Sequence, residues 1–73
     1  MVDVKGLRVR YKLTRAQFAE LFNIPVRTVQ SWELGERACP LWVFQMMEEL
    51  LEFYKLSGAL EGFAEGSNND HNS

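Results

Sequence analysis

Seventy-three residues, 47% hydrophobic and 25% charged, suffice for one small globular domain and leave no room for a deep enzymatic pocket. The net charge of −2 speaks, taken whole, against a polyanion-binding surface. Its distribution does not: residues 1–37 set Lys5, Arg8, Arg10, Lys12, Arg15, Arg27 and Arg37 against Asp3, Glu20, Glu33 and Glu36, a balance of +3, whereas residues 38–73 set Lys55 against Glu48, Glu49, Glu52, Glu61, Glu65 and Asp70, a balance of −5.

The first predicted helix is short. Asp3 caps it, and Val4, Leu7 and Tyr11 share one face. Gly6 inside it costs about 1 kcal/mol relative to alanine. Thr14-Arg15-Ala16-Gln17 has the form of a capping box, so a second helix starts at about residue 15 and runs to 22 with Phe18, Leu21 and Phe22 as its apolar stripe. Asn23 tolerates the left-handed conformation of a sharp turn. Pro25 then opens a third helix over 25–34, with Val29 and Trp32 directed inward and Gly35 ending it.

After a loop from Glu36 to Pro40, a long helix is predicted over 41–56. Its polar residues Gln45, Glu48, Glu49, Glu52 and Lys55 fall in one arc. Its apolar residues fill about 200°, twice the width of a usual core-facing stripe. Part of that arc, with Trp42, Met46, Phe53, Leu60 and Phe63 as candidates, is therefore expected to be exposed in a monomer or buried in a homodimer, and a fifth helix over Ala59 to Ala64 that folds back on these residues is the structural alternative. The stretch from Gly66 to Ser73 has no apolar residue and reads as a disordered polar tail, which divides the chain into a folded unit over 1–65 and a tail over 66–73.

Two short helices joined by a tight turn and followed by a longer one suggest a helix-turn-helix. Ala19 supplies the small residue where the two helices cross, and Asn23 the turn residue four positions later. Nothing in the sequence suggests catalysis, a cofactor or a metal. Cys39 has no partner for an internal disulfide, and His71 stands alone in the tail. No apolar run reaches the roughly 18–20 residues of a membrane span. The residues from Met1 to Lys5 hold no signal core, so the expected location is the cytoplasm.

The segments from Leu13 to Phe22 and from Arg27 to Arg37 resemble lambda-repressor/Cro-like (XRE) DNA-binding domains. Such domains often read L-T-Q-x-E-F-A-x-x-x-G-[VI]-S-x-x-T-V-x-x-W-E-x-G-x-R. The likeness covers residues 4 to about 52, and Thr28-Val29-Gln30-Ser31-Trp32-Glu33-Leu34-Gly35 is its most specific part. It implies an all-α bundle of four or five helices that binds double-stranded DNA, usually as a prokaryotic or phage transcriptional regulator. An antitoxin or anti-repressor module that binds another protein is the alternative. The chain departs from the pattern at Arg15, at Asn23 in place of the turn glycine, and at Pro25 in place of the serine cap.

By that resemblance the third helix enters the major groove. A helical wheel anchored on Val29 turns Arg27, Gln30, Ser31 and Leu34 outward. Arginine suits the O6/N7 edge of guanine and glutamine the N6/N7 edge of adenine. Ser31 can bond a base or a phosphate, and Val26 can meet a thymine methyl. Thr14, Arg15, Thr28 and Arg37 are the expected contacts to the DNA backbone, which set register without reading sequence. The resemblance also implies an ion pair between Arg8 and Glu33 that ties the first helix to the third.

Overall fold

The Asp3 carboxylate accepts a hydrogen bond from the Gly6 N–H at 2.9 Å and begins the first helix where the sequence predicts it. The computed structural model describes residues 2–61. Within them lie α1 (Val4–Arg10), α2 (Arg15–Phe22), α3 (Val26–Leu34) and α4 (Leu41–Ser57), and helical conformation resumes at 59–61. The described residues are all-α, with no strand among them. The expected tail over 66–73, the boundary at 65, Phe63 and His71 lie outside the described residues.

Gly6 has a local purpose. A Cβ at this position would collide with the Asp3 carboxylate, so alanine would displace the cap it was expected to improve upon. Tyr11 and Lys12 then turn the chain, and Lys12 adopts φ 59°. A left-handed backbone is strained for a residue with a Cβ. Lys12 is exposed, and its side chain makes none of the hydrogen bonds or ion pairs seen among the described residues. Lys12→Gly is therefore expected to stabilise the fold by about 0.5–1 kcal/mol. For a domain of this size that raises the thermal midpoint by about 3–6 °C, and a midpoint unchanged or lowered would contradict it.

The capping box at α2 is complete. The Thr14 hydroxyl accepts from the Gln17 N–H at 3.1 Å, and Gln17 Oε1 accepts from the Thr14 N–H at 2.9 Å. Asn23 ends the helix at φ 57°, satisfying the carbonyls of Ala19 and Glu20. Pro25 is the residue just before α3, not its first helical residue: its ψ of 141° is extended, and helical geometry begins at Val26. Gly35 stops α3 at φ 80°.

The core gathers Val4 and Leu7 from α1, Leu13, Phe18 and Ala19 at α2, Val29 from α3, Cys39, and Met47 and Leu51 from α4. Phe18 and Phe22 meet edge to face with centroids 5.0 Å apart. Ala19 is buried, as expected of the small residue at the helix crossing. Helix α3 packs against both α1 and α2.

Two expectations change. Trp32 is only half-buried: it packs at the edge of the core and lines a groove with Leu21, Ile24 and Val43. An indole is too large for the centre of so small a core, which Val29 occupies. Leu60, counted among the surplus apolar residues, is buried in the core because Gly58 turns the chain back after α4. No helix among the described residues is long and apolar enough to cross a membrane.

Candidate nucleic-acid interface

The outer side of α3 carries Val26, Arg27, Gln30 and Leu34, all exposed, while Val29 is fully buried. This is the spacing of one helical face. Of the four residues expected to read bases, Val26, Arg27 and Gln30 stand on it together. Ser31 is set back: it is half-buried, and its hydroxyl donates to Glu36 Oε1 at 3.4 Å. It stands one turn after Arg27, where the chain folds over it. Its carbonyl accepts the N–H groups of Glu36 and Arg37 at 2.9 and 3.3 Å.

No side chain caps α3. The N–H groups of Val26 and Arg27 in its first turn are therefore available to an anion, and the helix dipole favours one there. Thr28 lies in that turn, half-buried, with its N–H on the Pro25 carbonyl at 3.0 Å. Thr14 is exposed beside the start of α2. Its hydroxyl oxygen is occupied by the capping box, which leaves the hydroxyl hydrogen to donate. Arg37 is exposed in the loop after α3.

An acidic residue on such a helix would repel phosphates if it faced them. Glu33 does not: its side chain is 1% exposed and held by two arginines. Arg8 donates from Nε to Oε2 at 2.7 Å and from Nη2 to Oε1 at 3.1 Å, a two-pronged contact. The remaining terminal nitrogen of Arg8 donates to the Leu13 carbonyl at 2.9 Å, so the guanidinium also fixes the end of the turn between α1 and α2. The expected pair is thus present.

The second arginine was not foreseen. Arg15 Nε donates to Glu33 Oε1 at 2.9 Å, while the Arg15 side chain stays 41% exposed. Burial pushes the Glu33 carboxyl toward a higher pKa. The hydrogen bonds from Arg8 and then Arg15, with their charges, outweigh that and hold it below the ordinary carboxylate value of 4.5. The two guanidinium charges exceed the single carboxylate, so the cluster keeps a surplus of one positive charge. Its exposed part is the outer edge of Arg15.

Lys12 was also missed. Its left-handed backbone is a property of the turn, and lysine gives no local signal for it. The Cys39 thiol is buried, which raises its pKa, and it carries no chemistry here. No group of acidic, histidine or cysteine side chains among the described residues is arranged to hold a metal. The chain matches no protein-family profile, no curated protein and no solved structure.

Proposed function

We propose that this protein binds double-stranded DNA sequence-specifically through a helix-turn-helix formed by α2 and α3, and acts as a transcriptional regulator of the lambda-repressor type. The observation that carries the reading is the composition of the exposed α3 face. Arg27 and Gln30, side chains suited to guanine and adenine edges, stand together on it, and the one acidic residue of the helix is turned inward and neutralised. Val26 adds an apolar contact for a thymine methyl. In this reading Arg15, Arg37, Thr14 and Thr28 contact the phosphate backbone and set register.

Ser31 takes a smaller part in this proposal than its spacing suggested. Its hydroxyl faces Glu36, and it reaches a base only if that bond opens.

Selection from random duplex DNA tests the reading. It is expected to enrich one short motif, and a library that emerges without enrichment overturns it. Binding to the selected duplex should weaken with salt, with a log–log slope of roughly −3 for a single protomer contacting three or four phosphates, and roughly −5 to −7 for two. Arg37→Ala should flatten that slope by about one unit and weaken all sequences alike. Arg37 makes no side-chain hydrogen bond to the rest of the described protein, so its replacement tests the contact without disturbing the fold.

A further inference from the structure

Three cations gather where the end of α1 meets the end of α4. Arg10, Lys12 and Lys55 line one open depression of about 280 Å³, together with Tyr11, Leu60 and Glu61. All three are exposed, and none is in an ion pair among the described residues, where the only such contacts are those of Glu33. Three positive charges thus face one carboxylate, that of Glu61, in a chain whose net charge is −2. Like charges held together without partners repel one another and favour an anion between them.

Lys12 gives a second, independent sign. Its φ of 59° is a conformation that suits glycine or asparagine, and its side chain makes no hydrogen bond or ion pair within the described protein. Strain that no internal contact repays points to a use for the charge outside the fold.

The floor of the depression differs from its rim. Leu60 is buried and Tyr11 half-buried, and the Lys55 ammonium lies 5.9 Å from the centre of the Tyr11 ring. That cation–π contact keeps one charge beside an apolar surface.

We infer that this depression binds a small phosphate monoester that carries a ring. A phosphate monoester bears a charge of about −1.5 to −2 at neutral pH, which matches the surplus of two positive charges better than a carboxylate does. Lys12 and Lys55 take the phosphate oxygens. Arg10 contributes less, because it also lines a neighbouring depression with Glu48, Glu49 and Glu52. The ring lies against Leu60 and Tyr11, and Glu61 accepts from a hydroxyl or amino group of the ligand. The volume stands just below the roughly 300–1,000 Å³ of sites for larger organic ligands.

A DNA backbone offers the same phosphate chemistry. None of the residues lining the depression belongs to α2 or α3, the helices of the proposed DNA interface, so the inference does not rest on that reading.

Titration of the full chain with adenosine monophosphate, followed by NMR at low salt and without DNA, tests it. The amide signals of Tyr11, Lys12, Lys55 and Leu60 should shift saturably, with a Kd on the order of 0.1–1 mM for a small ligand at so open a site. Adenosine and inorganic phosphate should each bind about fivefold or more weakly, since each lacks half of the contacts. Lys55→Gln should weaken adenosine monophosphate about two- to fivefold, and Glu61→Gln should tighten it about twofold. Lys12→Gly should weaken it about two- to fivefold while raising the thermal midpoint, so that the loss of binding accompanies a more stable fold.

Shifts that do not saturate by about 10 mM, or an unchanged affinity in Lys12→Gly, overturn the inference. Inorganic phosphate binding as tightly as adenosine monophosphate removes the ring from it. Random duplex DNA provides the other arm. If Lys12→Gly and Lys55→Gln weaken duplex binding and leave adenosine monophosphate unaffected, these cations serve the DNA backbone and the small-ligand site falls.

Discussion

Glu33→Ala is expected to destabilise the fold by about 3 kcal/mol, a large fraction of the stability of so small a domain. The alanine removes the acceptor for three guanidinium hydrogen bonds, two from Arg8 and one from Arg15. Arg8 keeps only its bond to the Leu13 carbonyl and is left as a largely buried, unpaired charge between α1 and α3. Arg15→Ala should cost less, under about 1 kcal/mol, because its side chain is more than a third exposed and water screens the interaction.

The same cluster carries a pH dependence. The folded-state pKa of Glu33 lies below its ordinary value of 4.5. Its contribution to stability is therefore fully present above about 4.5 and is lost as the pH falls through the lower folded-state value. Urea midpoints of the wild type and Glu33→Gln, compared at pH 7, 5, 4 and 3, should converge toward the acid end. A gap that stays constant down to pH 3, or a Glu33→Ala variant as stable as the wild type at pH 7, would contradict the role assigned to this residue. DNA binding by whatever fraction of Glu33→Ala remains folded should weaken only through the loss of order in α1 and α3.

Arg27→Ala and Gln30→Ala are each expected to cost about 1–3 kcal/mol on the selected duplex, a loss of roughly fivefold to more than a hundredfold, and to relax preference at one base position. Both residues are exposed, so neither substitution should move the unfolding midpoint appreciably. Their effects on scrambled duplex should differ. Arg27 carries a charge that also attracts phosphates, whereas Gln30 carries none, so Gln30→Ala should leave non-specific affinity almost unchanged. The measurement is a competition between selected and scrambled duplexes at fixed salt. An unchanged selected-to-scrambled ratio for both variants means that α3 does not read the bases, and a protein-binding role for the same fold then takes precedence.

The sequence alone determined most of the helix boundaries, to within a residue at Pro25. The signals were local and each had a chemical form: the Asp3 carboxylate, the reciprocal Thr14–Gln17 box, a left-handed Asn23, and the glycine at 35 that ends α3. Such features close hydrogen bonds within four or five residues, so a short window of sequence contains both partners. The buried positions Phe18, Ala19 and Val29 and the exposed pair Arg27 and Gln30 were legible for the same reason, because helical period places them.

Only the tertiary structure decided the rest. It brought Arg15 to Glu33 across 18 residues, drew Ser31 toward Glu36 as the loop closed over it, left Trp32 at the rim of the core, and put Leu60 inside it. It also chose which part of the wide apolar arc of α4 stays in water. Periodicity fixes the directions of side chains around one helix axis, but burial depends on which neighbouring elements arrive on that side and how much volume they leave to fill. In a core this small, a few large side chains fill that volume, and the others remain outside.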